Sequence, residues 1–355
     1  MEKIPVRQRI DNFKKFYKME LEDGPLVGFF LETYFPLKRY RGASTIPDGI
    51  ISPEDIRVEE FREDYERLFR LHEDTGGDFI WTATPFWGLP WMEAIIGCDV
   101  YADHKTGSTR SVPPEDFMDE EDIREFDPKN PWVEKVGEFL SMLTETSHGR
   151  YPLGTTLMRG ISDLLSALYG NPDFIYKLVE ERDRQKEIAK KLTSIWIEFA
   201  RYQIKRIPEF YGGVGAFFYN LWMPGKGTML QEDASAMLSP KLFGEVIYPC
   251  ICDIIKEFDS TVIHLHPSMY IPVEYLENTE LSAVELHIDF GGPRAEELCP
   301  YYKKIIAKKP LIIWGDIREE DFDFIERNLD REGLALLPVV KGKNEAEDIW
   351  KRFKS

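Results

Sequence analysis

Thr261-Val262-Ile263-His264-Leu265-His266-Pro267 carries two histidines that are two residues apart. Ala283-Val284-Glu285-Leu286-His287-Ile288-Asp289 has the same spacing of polar residues, at Glu285, His287 and Asp289. Successive side chains of a strand point to opposite faces, so His264 and His266 share one face of the first strand. Glu285, His287 and Asp289 share one face of the second strand for the same reason. The residues between them are apolar, which indicates that one face of each strand packs and the other carries polar chemistry.

These two strands allow a structural interpretation as well as a chemical one. Two buried histidines bound to backbone carbonyls are common in proteins, so a His-x-His pair alone is a weak signal. The second strand is harder to explain structurally, because burying several ionisable groups is costly without a ligand, a metal or mutual pairing. We therefore predict a functional site that includes His264 and His266, in which a ligand, a metal or mutual pairing offsets the burial. Glu285, His287 and Asp289 are its candidate catalytic residues.

The composition of the whole chain excludes several classes of function. The net charge of -18 argues against binding to nucleic acid or to an anionic membrane surface. The four cysteines form neither a zinc-ribbon spacing nor a disulfide scaffold, and the N-terminal residues have no apolar signal-peptide core. We expect a reduced, cytoplasmic protein.

Strand, loop and helix patterns alternate along the 355 residues, which predicts a parallel α/β architecture. The patterns also predict a surface excursion over residues 101–132, a long helix over about residues 173–207 and a strand over residues 213–219. Residues 5–22 have helical spacing and form an N-terminal helical arm, and residues 1–77 comprise this arm and the first barrel elements. Residues 78–355 form the barrel body, so we predict a single-domain TIM-type (β/α)8 barrel. The active site of such a barrel lies at the carboxyl ends of its strands, where the two histidine-bearing strands end.

Aromatic residues follow several of the predicted strands and are candidates for a substrate pocket. An alternative, left open by the sequence, is that those near residue 86 plug one end of the barrel. The predicted substrate-binding residues are Trp81, Phe86, Trp87, Tyr219, Trp222, Trp314 and Asp316.

From about residue 78 onward the sequence resembles the uroporphyrinogen decarboxylase superfamily, which includes corrinoid-dependent methyltransferases. The resemblance rests on residues 154–172, on Glu232-Asp233 through residues 239–243, and above all on Ile263-His264-Leu265-His266. It covers roughly three quarters of the chain, and the fold that it implies is the same barrel.

The methyltransferase branch of that superfamily uses zinc, held by a His-x-Cys-Gly strand and a later cysteine. His264 matches the first ligand of that pattern, whereas His266 replaces the cysteine and Pro267 replaces the glycine. The last predicted strand, residues 334–340, has no cysteine. The resemblance therefore implies a nitrogen and oxygen site for zinc or another divalent metal, completed by Glu285, His287 or Asp289.

The decarboxylase branch holds the carboxylates of its tetrapyrrole substrate with an arginine-rich N-terminal segment. The corresponding residues 28–35 are aromatic and contain Glu32 but no arginine. The first hypothesis is thus a metal-dependent, corrinoid-linked methyltransferase that moves a methyl group between a corrinoid protein and a small acceptor. The alternatives are a metal-free decarboxylase or lyase with His/Asp acid-base chemistry, and a noncatalytic ligand-binding barrel. By analogy with the superfamily, the chain is also a candidate homodimer.

Overall fold

The structure is a computed structural model that describes residues 3–115, 117, 123–216 and 220–354. The helices of these residues are α1 Val6–Lys18, α2 Pro36–Arg39, α3 Arg62–Thr75, α4 Trp91–Ile96, α5 Pro131–Ser147, α6 Ile161–Tyr169, α7 Asp173–Glu180, α8 Arg182–Ile204, α9 Pro240–Leu242, α10 Tyr248–Lys256, α11 Val273–Leu276, α12 Ala295–Ile306, α13 Glu319–Asn328 and α14 Lys343–Lys354. The strands are β1 Leu26–Val27, β2 Phe30–Leu31, β3 Gly49–Ile51, β4 Asp99–Asp103, β5 Ser108–Val112, β6 Met158–Arg159, β7 Gly213–Gly215, β8 Trp222–Pro224, β9 Gly227–Gln231, β10 Ser260–Leu265, β11 Ala283–Leu286, β12 Leu311–Gly315 and β13 Leu334–Val340.

A parallel sheet forms the centre of the molecule, as the alternation of strands and helices predicts. Its strands are ordered β1-β13-β12-β11-β10-β9-β6, and β2 also pairs with β13. All of these neighbours run parallel. Isolated parallel bridges join Ala83 to Leu153 and Gly154 to Gly215. The architecture is therefore a mixed α/β fold with a parallel central sheet, consistent with a TIM-like arrangement.

The central strands are buried on both faces because helices cover the sheet. Every residue of β10 and β12 is buried, which is the usual state of parallel strands between helices. The buried positions of β10 and β11 include the polar side chains of His264 and Glu285. Burial of these two residues among Val, Ile and Leu marks this part of the sheet as unusual.

The N-terminal helix α1 packs on the body of the protein. Its Phe13 is fully buried and meets the ring of Phe79 edge-on, with 5.6 Å between the ring centroids. Arg9 is also buried and donates hydrogen bonds to both carboxylate oxygens of Glu73, at 2.8 and 2.9 Å, and to the carbonyl of Phe79. The arm is thus anchored by both apolar and ionic contacts. The division at residue 77 stays a prediction.

Several elements differ from those that the sequence predicts. Residues 101–132, predicted as a surface excursion, contribute to a hairpin of β4 and β5 that pairs antiparallel with β3. The long helix predicted over residues 173–207 is divided into α7 and α8 at Glu181. The acidic and proline-rich composition of residues 101–132 did not predict the hairpin. Neither of its strands has a strong apolar face that would indicate a strand.

The segment from residue 213 to 231 differs most from its prediction. Of the strand predicted over residues 213–219, Gly213–Gly215 form β7, which pairs with β8 in an antiparallel hairpin. Residues 217–219 lie outside the described part of the chain. The next strand of the central sheet is β9, which the sequence analysis passed over. β9 pairs with β10 over five registered positions and positions the residues that follow it.

No described helix is both long enough and apolar enough to cross a membrane.

Candidate metal site at the ends of β9, β10 and β11

The register of the sheet places polar side chains of neighbouring strands side by side. His264 on β10 lies opposite Gln231 at the end of β9 and opposite Glu285 on β11. Parallel strands in register present matching residues to the same face, so the two predicted polar faces meet. The structure therefore brings together the five polar residues of the two decisive strands, which are His264, His266, Glu285, His287 and Asp289.

His264 is fixed by a buried carboxylate. Its Nδ1 hydrogen-bonds with Oε2 of Glu285, and the two side chains are 2 % and 0 % exposed. Burial lowers the pKa of His264 to about 3 and raises that of Glu285 to about 7. A neutral imidazole that donates its Nδ1 proton to Glu285 leaves a lone pair on Nε2, which is the tautomer that a metal ligand needs.

His266 is oriented in the same way by a different carboxylate. Its Nδ1 lies 2.8 and 3.0 Å from the two carboxylate oxygens of Asp289. Burial lowers the pKa of His266, but the hydrogen bond to Asp289 and the nearby charge of Asp233 outweigh it and raise the pKa to about 9. In the metal-free protein this ring therefore carries a proton at neutral pH, which a bound metal would displace.

Asp233, which follows β9, faces both histidines. Its Oδ1 lies 3.5 Å from Nε2 of His264 and 3.8 Å from Nε2 of His266. This buried oxygen has no hydrogen-bond partner among the described residues. Tetrahedral ligands at 2.0–2.1 Å from zinc are separated from one another by about 3.3–3.4 Å. The two oxygen–nitrogen separations are slightly longer than this spacing, and the three side chains form a group able to hold a metal, with ligand atoms within 4.8 Å of one another.

The second oxygen of Asp233 is held by two further side chains. Oδ2 accepts hydrogen bonds from the amide of Gln231 and from Nη1 of Arg159, the latter at 3.2 Å. Burial raises the pKa of Asp233, but the adjacent His264 ring and the positive charges of Arg159 and His266 outweigh it and lower the pKa. Asp233 is therefore an ionised carboxylate with one oxygen fixed and the other directed at the histidines.

A reciprocal pair of carboxylate contacts braces the segment that carries Asp233. The carboxylate of Asp163 accepts the backbone N–H groups of residues 233 and 234, at 3.2 and 2.8 Å. The carboxylate of Glu232 accepts those of residues 161 and 162, at 2.9 and 3.1 Å. The start of α6 and the end of β9 are therefore tied to each other in both directions, which limits movement of Asp233.

His287 lies next to this group and is packed against an aromatic ring. Its ring centroid is 4.4 Å from that of Trp314. Its Nδ1 lies 3.6 Å from Oε1 of Glu285, and its Nε2 lies 3.6 Å from Oδ1 of Asp289. Burial lowers the pKa of His287. His287 belongs to two further groups of side chains that could hold a metal. One group includes His264 and Glu285, and the other includes His266 and Asp289.

A large cavity of about 1600 Å³ opens over these residues. Its walls contain seven of the predicted site residues, which are Trp87, His264, His266, His287, Asp289, Trp314 and Asp316. Glu285 and Asp233 do not line it: Glu285 lies fully buried beneath the histidines, and Asp233 lines a separate cavity of about 400 Å³.

Three of the other predicted substrate-binding residues, Trp81, Phe86 and Trp222, do not line this cavity. Trp81 is buried against Tyr151, with ring centroids 4.7 Å apart. Phe86 packs on Phe61, and Trp222 is buried with its indole N–H donated to a backbone carbonyl. Tyr219 lies outside the described residues. Trp81 and Phe86 are thus core residues, whereas Trp87 lines the cavity. The sequence does not separate these cases, because residue type alone does not tell in which direction an aromatic side chain points.

Asp233, Arg159 and Tyr34 are site residues that the sequence analysis did not assign. A signal for Asp233 is present in the chain: the apolar pair Met229-Leu230 is followed by three polar residues at the carboxyl end of β9. Polar residues at the carboxyl end of a parallel strand belong to the usual position of an active site. Tyr34 contacts the edge of Trp314 and lines the cavity.

Comparison with known proteins bears on the fold. No protein-family model matches the sequence, and no curated protein sequence matches it significantly. Among solved structures, a methyltransferase from Methanosarcina mazei is similar, with a TM-score of 0.65 and 11 % sequence identity. The match covers 98 % of this chain and 100 % of that chain. A likeness at this identity shows a shared fold over the whole length of both proteins, while function has to be argued from the site.

Proposed function

We propose that this chain is a metal-dependent methyltransferase of the corrinoid-linked type, built on a closed TIM-type (β/α)8 barrel. The observation that carries the proposal is the convergence of Asp233 Oδ1 with the Nε2 atoms of His264 and His266, each histidine being oriented by its own carboxylate. Carboxylate–histidine–metal arrangements of this kind fix the tautomer and orientation of metal-ligating histidines. The methyltransferase of the same fold supports this reaction class over other barrel chemistries.

The residues present fit a divalent metal. Asp233, His264 and His266 supply one oxygen and two nitrogens, a donor set that suits zinc and is also compatible with other first-row divalent ions. Three protein ligands leave a position for substrate, as in catalytic zinc sites generally. A bound metal would lower the pKa of an acceptor thiol or polarise it as a Lewis acid. Asp233 thus contributes a carboxylate oxygen to a site of nitrogen and oxygen donors, in contrast to the cysteine-containing sites of the resembling methyltransferases.

The remaining residues handle the acceptor and its proton. His287 is neutral at physiological pH and lines the cavity, so it accepts the proton of the acceptor thiol on Nε2, beside Asp289. Trp314 covers His287 and excludes water from that side. The sulfur then forms a bond to the methyl carbon while the cobalt–carbon bond of the donor breaks. Both electrons of the broken bond remain with the cobalt, and the products are a methyl thioether and a Co(I) corrinoid.

The methyl donor is a corrinoid carried by a partner protein, which would reach the site through the open cavity. A homodimer and a cytoplasmic location remain predictions. Free methylcobalamin can replace the partner in a first assay, with 2-mercaptoethanol as a neutral acceptor. Metal-loaded protein should convert methylcobalamin to cob(I)alamin, followed under anaerobic conditions by absorbance, and Asp233→Asn should abolish the conversion.

Metal content is tested separately from activity. Protein purified without an affinity tag should contain about one zinc or similar ion per chain by elemental analysis, in line with a structural or catalytic metal site. Asp233→Asn and His266→Ala should each lose it. Asp253→Asn and His148→Asn are matched exposed controls and should retain it. Absence of metal from the wild type, with no binding of added zinc, would refute the metal site.

A metal-free decarboxylase is the second candidate. It is favoured by the raised pKa of His266, because an imidazolium that lines the cavity could hold a substrate carboxylate or donate the proton to the carbanion. The charge of the cavity opposes a polyanionic substrate, since six carboxylates line it together with two arginines, one lysine and the His266 imidazolium. Carbon dioxide release by metal-free protein, retained in Asp233→Asn, would support this candidate over the first.

A further inference from the structure

The walls of the large cavity carry more negative than positive charge. Its carboxylates are Glu32, Asp289, Asp316, Glu319, Glu345 and Asp348, and its cationic side chains are Arg318, Lys341 and Arg352. Four of these carboxylates are paired: Glu32 with Arg67, Asp316 with Arg294 and Arg318, Glu319 with Arg352, and Asp289 with His266. Among the described residues, Glu345 and Asp348 are the carboxylates of the lining that contact neither an arginine nor a histidine. The net charge of the whole chain is -18, so the surrounding field has the same sign. Clefts lined by one sign of charge concentrate ligands of the opposite sign.

The two arginines of the wall are already engaged by carboxylates. Arg318 donates to Oδ2 of Asp316 from Nε and Nη2, at 3.0 and 2.9 Å. Arg352 donates to Glu319 at 2.6 Å and also contacts two further acidic residues of α13, Asp323 and Glu326. An anionic ligand would have to compete with these carboxylates for the guanidinium groups. These two guanidinium groups are thus poorly available to a sulfonate or carboxylate.

Glu345 and Asp348 on α14 are exposed carboxylates of the same wall. Glu345 accepts the backbone N–H of Lys341 at 2.7 Å, which leaves its negative charge without a side-chain cation in that contact. Asp348 lies 3.9 Å from Lys351, at the outer limit of an ion pair. Exposed pairs of this kind are weak, so both carboxylates remain able to attract a cation.

Aromatic side chains add to the same preference. Tyr34 is 41 % exposed and Phe290 is 89 % exposed, and both line the cavity together with Trp87. The faces of aromatic rings attract ammonium and guanidinium groups, with an effect that grows as the cation is desolvated. Acidic and aromatic groups in one cavity therefore favour a cationic ligand over a neutral one of equal size.

We propose that the methyl acceptor is a positively charged thiol, with its sulfur at Asp233, His264 and His266 and its ammonium group toward the acidic and aromatic wall. This inference rests on the proposed methyl transfer and names the class of its acceptor. It excludes acceptors whose charged end is a sulfonate or a carboxylate.

Three thiols of similar size test the charge of the acceptor: cysteamine, 2-mercaptoethanol and 3-mercaptopropanoate. With metal-loaded protein and methylcobalamin, kcat/KM should be at least about tenfold higher for the cation than for the neutral thiol, and lowest for the anion, since one decade corresponds to about 1.4 kcal/mol. Added salt should reduce the difference, because exposed charges are screened. Glu345→Gln combined with Asp348→Asn should also reduce it, and exposed Asp253→Asn serves as the matched control.

Binding is measured as well, because an ammonium group changes the reactivity of a neighbouring thiol. The unreactive thioethers 2-(methylthio)ethylamine, 2-(methylthio)ethanol and 3-(methylthio)propanoate are titrated by calorimetry into metal-loaded and metal-free protein. The cation should bind most tightly in both forms, and the double variant should lose this preference.

The outcomes separate the acceptor class from the reaction. Turnover of 2-mercaptoethanol with equal or better turnover of the anion, and no preference for the cationic thioether, would overturn the cationic acceptor and leave methyl transfer intact. Turnover of none of the thiols would contradict the proposed methyl transfer. The thioether titrations would then decide the charge preference of the cavity alone: tighter binding of the cation would support it, and equal binding would overturn it.

Discussion

The two carboxylates that orient the metal-binding histidines should contribute unequally to metal affinity. Glu285 holds His264 and is 0 % exposed, whereas Asp289 holds His266 and its side chain is 37 % exposed. Replacing such a supporting carboxylate weakens metal binding by roughly 10- to 100-fold, which corresponds to about 1.4–2.7 kcal/mol. Solvent screens the charge of Asp289 but not that of Glu285. We therefore expect Glu285→Gln to lie near the upper limit and Asp289→Asn near the lower.

The measurement is a zinc competition against a chromophoric chelator at fixed pH, with circular dichroism to confirm that each variant is folded. Asp316→Asn is the control, because Asp316 lies in the same cavity but contacts arginines instead of histidines. Its zinc affinity should stay within about twofold of the wild type, as expected when no ligand-orienting hydrogen bond is removed. Equal losses in Glu285→Gln and in the Asp316→Asn control would refute the assignment of Glu285 as the group that orients His264. A larger loss for Asp289→Asn than for Glu285→Gln would refute the argument from burial.

Further predictions concern stability. Arg9→Met leaves the largely buried carboxylate of Glu73 without its bidentate partner and should lower the free energy of unfolding by about 3–5 kcal/mol in urea. Burial raises the pKa of Glu73, but a neighbouring histidine and Arg9 outweigh it and depress the pKa strongly; the stabilisation is therefore present above the unfolded pKa of about 4.3. It is lost as pH falls, so wild type and Arg9→Met should converge in urea titrations at low pH; a constant difference would contradict this. Phe13→Ala should cost about 3–5 kcal/mol by cavity formation, measured by the same titration, and a loss below about 1 kcal/mol would show that the arm is not anchored through this ring. Gly315→Ala adds a Cβ atom 2.9 Å from Nε2 of His287 at a φ of +125°, so it should lower the Tm and cost about 1–3 kcal/mol; an unchanged Tm would argue against this strain.

The sequence was sufficient to predict the parallel sheet and the meeting of its two polar strands. The reason is local: alternation along β10 and β11 decides which side chains share a face, and parallel pairing in register then brings His264 and Glu285 together. The division of roles between them was not predictable. Only the three-dimensional structure shows that Glu285 and Asp289 contact the Nδ1 atoms, which leaves the Nε2 atoms directed at Asp233.

Asp233 itself was missed because β9 does not have a strong strand pattern. Its first residues, Gly227 and Thr228, follow a proline- and glycine-containing turn, and the five-residue strand is recognisable mainly by its pairing with β10. Aromatic residues were misleading for the opposite reason, since Trp81 and Trp222 have a strong signal but pack into the core. A tryptophan in the sequence is compatible with a position in the core and with a position in a pocket wall. Only its tertiary contacts distinguish the two.

The reciprocal contacts of Asp163 and Glu232 limit which segments of this barrel can be exchanged with those of another barrel. Each of these carboxylates binds backbone groups of the segment that carries the other. A graft of residues 158–163 from a barrel without an acidic residue at position 163 would leave the backbone N–H groups of residues 233 and 234 without this acceptor, at a cost of about 1–3 kcal/mol for each unsatisfied group. Residues 158–163 and 231–234 therefore form one transplantable unit, and a recombined barrel should keep its function only when both come from the same parent.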